Sequence, residues 1–401
     1  MGLILLGACL MAGWVEETAW ADGVRLEAPA VSRAALEEPR ASVRVGGSVQ
    51  VRFTTNRRDA APAGSEDVTL GTSIHRAKVA VTGTLPDETW TWRVVGSFNS
   101  ATGGAALADG WVAKEIEGVR IGAGQFKPAF LLEELIDITR QAAVDRSVVN
   151  ETFNQGRSQG VWAEWADSDW RVVGSITDGF NSANTEFTGA EADFGLTLRG
   201  EFVVDGHRRA LEDFAGFPEG DFALRVGGAG HFESGGKTAA GVPAVGRTAD
   251  VDRTGLTLDA QAEGDSWSAF AAIVWVSSDP AGGTRTDDVG LVVQGTWMPT
   301  EHWQVFARFD VVMQDDAVNP AIDAFPVVTV GGSWFVIPES HALKITADVQ
   351  VALEAFGAGS IVPAAGGGTG VFGAGSATST SLVFDTGDPQ TVFRVQVQGT
   401  F

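Results

Sequence analysis

Short segments in which polar and apolar side chains alternate recur along most of the chain. In the first of them, residues 43–53, valines and a phenylalanine occupy one face of an extended strand, while Arg44, Gln50 and Arg52 occupy the other. A strand that crosses a bilayer at a tilt needs roughly 9–11 residues, and its side chains alternate between lipid and lumen. The pattern therefore predicts an all-β fold built from membrane-spanning strands.

Sixteen segments follow this pattern. They lie near residues 43–53, 74–83, 89–99, 107–115, 119–125, 160–165, 170–178, 193–203, 222–233, 254–263, 267–277, 289–298, 303–313, 327–337, 342–354 and 391–401. Tight turns alternate with longer connections at 54–73, 126–159, 234–253, 314–326 and 355–390. An even strand number with alternating short and long connections is typical of outer-membrane barrels. We therefore predict a 16-stranded antiparallel transmembrane β-barrel over residues 43–401. One connection, 205–221, is longer than this alternation allows.

Tryptophan positions give a second indication of the same fold. Ten of the 13 tryptophans lie near predicted short turns: Trp90, Trp92, Trp111, Trp162, Trp165, Trp170, Trp267, Trp297, Trp303 and Trp334. Indole rings favour the membrane–water interface, so this placement predicts an aromatic girdle at one end of the barrel. A soluble β-sandwich, the alternative fold, offers no reason for tryptophans to cluster at every second connection.

The N-terminus indicates export. The longest apolar run, residues 3–15, is shorter than the roughly 20 residues that a spanning helix needs. It fits the core of a signal peptide, residues 1–21, that ends at the small-x-small site before position 22. Residues 22–42 then form a short periplasmic segment. The only cysteine, Cys9, falls within the signal and excludes a disulfide framework, although its surroundings also fit a lipid-attachment site.

Several classes of function are excluded by composition. A net charge of −23 argues against nucleic acid as a partner. The five histidines have no metal-ligand spacing, and no nucleophile or phosphate-loop motif is present, so neither an enzyme nor a cofactor is expected. The last strand ends in Phe401 and resembles the terminal segment that barrel-assembly machinery recognises. Outer-membrane lipid is the expected surrounding.

The connection 126–159 stands out because a helix-period apolar pattern interrupts the strand pattern there. A long, partly helical third outer loop that folds inward narrows the bore of a barrel, so the sequence predicts a channel with a constriction loop. The loop carries Lys127, Arg140, Arg146 and Arg157 against Glu133, Glu134, Asp137, Asp145 and Glu151. Arg140 and Arg146 either face permeating ions or pair with Asp137 and Asp145 to hold the loop.

Basic residues concentrate on one part of the predicted lumen wall. With the apolar register assigned to lipid, the inward cations of strands one, two, three and five are Arg44, Arg52, Arg76, Lys78, Arg93 and Arg120. Elsewhere on the wall, inward arginines lie beside inward carboxylates. Side chains that ring a narrow bore control ion selectivity, so these six residues are the candidate anion pathway. The alternative is that the arginines pair with carboxylates and only stiffen the wall.

Three sequence stretches carry a family resemblance: VRIGAGQFKPAFLLEEL, DRSVVNETFNQGRSQGVWAEW and WRVVGSITDGFNS. They resemble the phosphate-selective porin O and P family, with detailed similarity over roughly residues 74–203. The resemblance implies a 16-stranded barrel, usually a trimer, with its third outer loop folded into the lumen. It also implies lysines and arginines that draw anions inward.

These observations together predict an outer-membrane porin for passive diffusion of small inorganic anions, with phosphate as a candidate permeant. A general porin for small neutral solutes or cations is the alternative. A non-conducting structural or adhesive barrel is the third reading, with the Gly/Ala-rich connection 355–390 as its exposed surface.

Overall fold

The structure, a computed structural model, describes residues 24–25, 41–58, 67–98, 103–179, 182–184, 194–235, 251–316, 324–354, 376–377, 382–384 and 389–401. The predicted signal peptide with Cys9 lies outside these residues, as do most of segment 22–42 and of connection 355–390. A two-residue strand, Val24–Arg25, pairs with the start of the first long strand.

Sixteen long strands follow one another along the chain. They are β1 Ser42–Arg58, β2 Val68–Thr84, β3 Trp90–Phe98, β4 Ala105–Ile116, β5 Val119–Phe126, β6 Ser158–Ala166, β7 Trp170–Thr177, β8 Phe194–Asp205, β9 Ala223–Ser234, β10 Val251–Gly264, β11 Trp267–Pro280, β12 Thr286–Trp297, β13 Trp303–Met313, β14 Ala324–Phe335, β15 Leu343–Ala352 and β16 Gln390–Thr400. Each pairs antiparallel with the next, and β16 pairs with β1 through Val397 and Val51. The predicted closed 16-stranded antiparallel barrel is confirmed.

The first hairpin is longer than predicted. Strands β1 and β2 have 17 residues each, and their ladder continues to Arg57 opposite Val68. The prediction of a connection over 54–73 is therefore wrong at both ends. Beyond Phe53 the sequence no longer alternates between apolar and polar side chains. The hydrogen bonds between β1 and β2 join backbone groups and do not require an apolar face, so the ladder continues.

The two faces of the barrel differ in the way that a membrane requires. Outward side chains are apolar and exposed, for example Leu258 and Trp297. Inward side chains include buried Gln50, Arg394 and Asp348. The connections 85–89, 117–118 and 167–169 join neighbouring strands at the same end, which we call the turn end; the opposite end is the loop end.

The tryptophan prediction is correct for most of the ten positions and wrong for two. Six of the ten are exposed beside the short turns: Trp165, Trp170, Trp267, Trp297, Trp303 and Trp334. Trp111 and Trp162 instead point into the barrel, where both rings contact the Arg120 guanidinium. Trp111 lies opposite inward-facing Arg93 in the ladder. Nearness to a turn sets the depth of a side chain, whereas the strand register sets its face.

Helical structure in the described residues is confined to short pieces in two connections. The segment between β5 and β6 contains α1 Leu132–Leu135, a 3-10 turn at Ile138–Arg140 and α2 Val148–Phe153. The connection between β8 and β9 contains a 3-10 turn at Arg208–Leu211. None of the helices in the described part of the chain is long and apolar enough to cross a membrane.

Candidate functional site in the barrel lumen

The segment 127–157 packs by its apolar side chains against the inside of strands β9 to β16. Its buried residues Phe130, Val149 and Phe153 belong to one cluster with inward side chains of the wall. The wall members are Ala229, Phe270, Val274, Val276, Val292, Phe306, Val312, Phe325, Val327, Ala352 and Val392. Gly290 of β12 makes this approach close, because a Cβ there would lie 2.7 Å from Phe153 Cε2. The contact is therefore packed as tightly as a protein core.

Polar side chains of the wall also bind the backbone of this segment. Three wall side chains donate hydrogen bonds to carbonyl groups of the segment: Lys344 Nζ to Gln141 O at 2.8 Å, Gln398 Nε2 to Thr139 O at 2.9 Å, and Arg308 Nη1 to Asp145 O at 2.9 Å. In a fourth hydrogen bond, Val148 N of the segment donates to Asp310 Oδ2 of the wall at 2.7 Å. Buried backbone groups that are not in regular structure need such partners. The wall of β13, β15 and β16 supplies them, so its polar residues hold the segment in place.

Asp145 is the main ionic anchor of the segment. Its buried carboxylate lies 2.7 Å from Arg52 Nη1 and 2.6 Å from Arg76 Nη2. His75 approaches to 3.8 Å because the ladder slips by one residue beside Gln50, which turns both His75 and Arg76 inward. Burial opposes ionisation, yet Arg52 and Arg76 hold the pKa of Asp145 well below its usual range. The anchor is thus a charged group shared by two strands.

In a second group of buried charged side chains, arginines and carboxylates of the wall pair with one another. Arg199 donates to both oxygens of Asp259 at 2.7 and 2.8 Å and to Glu201 at 2.6 Å. Arg394 pairs in the same bidentate way with Asp348, at 2.7 and 2.9 Å. On this part of the wall the mixed charges therefore neutralise one another.

The overlong connection between β8 and β9 enters the barrel from the turn end. Phe214 and Ala215 are buried, and their carbonyl groups accept hydrogen bonds from Ser268 and Gln304 on the wall. Phe214 N in turn donates to Arg140 O at 3.3 Å, so the connection touches the segment 127–157. The length and the apolar residues of this connection were the only sequence signals of its position.

A different set of charges faces the remaining space. Except for buried Asp109, these side chains are partly exposed, and all of them interact with other members of the set: Arg76, Lys78, Arg93, Lys127, Arg146, Arg157, Asp109, Glu134 and Asp137. We call them the lumen cluster. It holds six cations and three carboxylates. Its shortest contacts are Arg157 Nε to Asp109 at 2.6 Å and Lys127 Nζ to Glu134 at 2.7 Å.

The predicted lumen cations fall into two classes. Arg52 and Arg76 share Asp145, and Arg93 lies 3.6 Å from Asp109. By contrast, Lys78 and Arg120 have no carboxylate within 4 Å among the described residues. The sixth predicted cation, Arg44, lies at the turn end of β1 opposite Thr82.

The loop cations are placed differently from the predicted pairs. Arg140 pairs with Glu212 at 3.0 Å, and Arg146 pairs with Glu134 at 3.2 Å and donates to three loop carbonyls. The predicted pairing of Arg140 and Arg146 with Asp137 and Asp145 is therefore wrong. Their partners come from distant parts of the chain, which sequence spacing does not reveal.

Protonation in the loop follows from burial and from these pairs. Burial lowers the pKa of Lys127 to about 8, with Glu134 acting in the opposite direction. Burial works against ionisation of Glu134, but Arg146 and Lys127 keep its pKa below the usual value. Lys127 is thus a cation at neutral pH that loses its proton in mildly alkaline solution.

A closed barrel with an apolar outside and a charged inside defines a class, the transmembrane β-barrel channels of the outer membrane. The phosphate-selective porin O and P family matches residues 43–349, more than half of the chain. The chain therefore belongs to this family, which identifies it as an outer-membrane porin, a channel rather than an enzyme. In the described residues no group of three or more His, Cys, Asp and Glu is arranged to hold a metal.

Solved structures of other porins have the same fold. OmpT of Vibrio cholerae is 13% identical with a TM-score of 0.57, covering 91% of this chain and 99% of its own. The anion-selective porin from Comamonas acidovorans is 13% identical with a TM-score of 0.58, covering 90% and 100%. The channel DcaP of Acinetobacter baumannii is 12% identical with a TM-score of 0.55, covering 92% and 99%. A search of curated proteins finds no match.

Proposed function

We propose that the chain forms a water-filled pore for passive diffusion of small anions, with the lumen cluster as its selectivity region. The observation that carries this proposal is the excess of cations over carboxylates in the cluster, six against three, or six against four when Asp145, the partner of Arg76, is counted with it. A narrow, low-dielectric passage focuses the field of such an excess on passing ions. The chain as a whole is acidic, but the buried carboxylates of Asp145, Asp259 and Asp348 are neutralised by arginines where they lie.

The segment 127–157 is the proposed constriction, an inward-folded and partly helical third outer loop. Its contacts with strands β9 to β16 support this position, because they occupy that side of the lumen. The passage then runs between the loop and strands β2 to β7, past Lys127, Arg146 and Arg157. In this arrangement Lys78 and Arg120 are the wall cations that no carboxylate approaches within 4 Å among the described residues; Asp137 lies near Lys78, and Glu115 and Glu164 lie opposite Arg120 in the two ladders.

The proposal extends to assembly. OmpT of Vibrio cholerae has been solved in a trimer form, with a TM-score of 0.56 and 13% identity to this chain. We propose that this chain forms a homotrimer in outer-membrane lipid. We also propose that the barrel-assembly machinery recognises its last strand, which ends in Phe401, when the barrel is inserted.

Reversal potential across a tenfold KCl gradient tests the function. An anion-selective pore approaches the chloride equilibrium potential, about 59 mV in magnitude. Lys78→Gln should move the potential toward zero, because it removes a lumen cation that no carboxylate approaches within 4 Å among the described residues. Lys114→Gln is the matched control, since Lys114 lies over the Trp90 ring on the outer face of the barrel. A cation-selective wild-type pore sinks the proposal.

Phosphate selectivity is a narrower version of the same function, carried by the family name. Adding phosphate to the KCl experiment separates the two: concentration-dependent block of chloride current indicates a phosphate site, and no block leaves a general anion pore. The runner-up, a general porin for neutral solutes or cations, is favoured by the half-buried carboxylate of Glu164 near the turn end, although Arg171 pairs with it. It predicts a reversal potential near zero or of the opposite sign.

A further inference from the structure

Arg120 occupies an unusual place inside the barrel. Its guanidinium carbon lies 5.1 Å from the centre of the Trp111 ring and 5.5 Å from that of Trp162, and the two rings are perpendicular with centres 6.0 Å apart. Gly122 makes room for this arrangement, because a Cβ there would overlap the Trp162 indole. A pocket of two indoles around a cation is thus built from three neighbouring strands.

The chemistry of the guanidinium leaves donors unused in this pocket. Arginine has five N–H donors, and the described residues give Arg120 one side-chain partner, Thr91 Oγ1 at 3.0 Å. No carboxylate lies within 4 Å of it among those residues. Both indoles contact the guanidinium as cation–π partners, while planar donors at its edge match a carboxylate in bidentate geometry.

The position of the pocket places it on the proposed passage. Trp111 lies directly opposite Arg93 of the lumen cluster in the ladder, and Arg120 lies opposite Glu164 toward the turn end. Glu164 is itself paired with Arg171 at 2.7 Å. An anion that leaves the lumen cluster toward the turn end therefore meets Arg120 between two carboxylates of the neighbouring strands: Glu164, which Arg171 pairs, and Glu115, which lies opposite Arg120 in the other ladder but not within 4 Å of it.

We propose that Arg120, Trp111 and Trp162 form a binding site for organic anions that join a carboxylate to a planar apolar body. The carboxylate takes the free edge of Arg120, and the planar body contacts the indole rings. This inference rests on the proposed anion pore, because the ligand reaches the site through the lumen. The site would give the pore a preference for aromatic over small aliphatic carboxylates, which the electrostatic field of the lumen cations alone does not provide.

Block of single-channel chloride current by benzoate, compared with acetate, tests the site. Benzoate should produce concentration-dependent block from the turn end at concentrations where acetate produces none. Arg120→Gln should raise the half-blocking concentration of benzoate by at least about tenfold, the equivalent of one bidentate charged contact. Trp162→Phe should raise it less, and Lys114→Gln should leave it unchanged.

The outcomes separate this site from the pore itself. Equal block by benzoate and acetate, or unchanged block in Arg120→Gln, overturns the site while chloride selectivity in the same recordings still supports the pore. A wild-type pore that prefers cations overturns the proposed function instead. If the Trp162→Phe variant keeps the conductance and reversal potential of the wild type, its barrel has folded. A change in its block by benzoate is then assigned to the site.

Discussion

The wall behind the loop and the wall across from it use the same residue types for different purposes. Behind the loop, Arg394 is 0% exposed, and two of its nitrogens bind Asp348. Across from it, Arg157 is 23% exposed although it pairs with Asp109, and no carboxylate lies within 4 Å of Lys78 among the described residues. A buried, fully paired arginine holds the structure in place but contributes little to the field that a permeating ion experiences. An exposed, weakly compensated one shapes the field of the passage.

The largest expected effect comes from breaking the anchor of the loop. Asp145→Asn removes the carboxylate shared by Arg52 and Arg76 and leaves buried cations behind. Loss of one partner of a buried pair costs roughly 3–5 kcal/mol. We expect the loop to loosen, with higher and noisier single-channel conductance and a lower unfolding temperature in detergent.

The control for this variant is Asp287→Asn, whose carboxylate is exposed at the loop end of β12. It should behave as wild type in both measurements. Unchanged conductance in Asp145→Asn would mean that the apolar contacts alone hold the loop.

Removing charge from the open wall should lower anion selectivity, with some loosening of the loop because Arg76 also binds Asp145. Each exposed charge contributes about 1 kcal/mol to an ion about 4 Å away in water, so Arg76→Ala with Lys78→Ala should lower the anion-to-cation permeability ratio roughly fivefold or more. Reversal potential measures the ratio. An unchanged ratio argues that the two side chains do not face the passage, as a one-residue slip of register would cause.

The alkaline pH dependence of selectivity should report Lys127. Its pKa of about 8 means that the ammonium is charged at pH 7 and loses its proton as the pH rises to 9. The lumen cluster then has one cation fewer, so anion preference should fall over that interval. Reversal potential at each pH gives the profile.

Lys127→Gln tests the assignment of this profile. The variant should begin with the lower preference and show a flatter response between pH 7 and 9. A full alkaline step in the variant assigns the titration to another group.

The smallest expected effect concerns the start of α2. Ser147 accepts a hydrogen bond from Asn150 N at 2.9 Å and donates to the Glu133 carboxylate. Ser147→Ala removes a helix cap of about 1 kcal/mol, so thermal unfolding should shift by a few degrees at most. Ser168→Ala, in an exposed turn, should not shift it. A shift as large as that of Asp145→Asn contradicts the ranking of the two anchors.

Sequence alternation predicted the strands because lipid and lumen impose opposite demands on neighbouring residues. It placed Arg52, Arg76 and Lys78 on the inner face for the same reason. It did not reveal that Asp145 binds the first two, since that contact joins positions far apart in sequence. The inward Trp111 was missed because its face is set by the strand register, and the entry of Phe214 was missed because it depends on contacts with a distant part of the chain.

Chemical accessibility of two engineered cysteines tests the difference between the walls most directly. Ser97 lies opposite Lys78 on the open wall, and Ser333 is 0% exposed with its hydroxyl near the loop carbonyl of Ala142. The account predicts that a negatively charged thiol reagent modifies Ser97→Cys rapidly and reduces its current, while Ser333→Cys remains unmodified with the loop in place. Equal rates at the two positions, or faster reaction at Ser333→Cys, would contradict it.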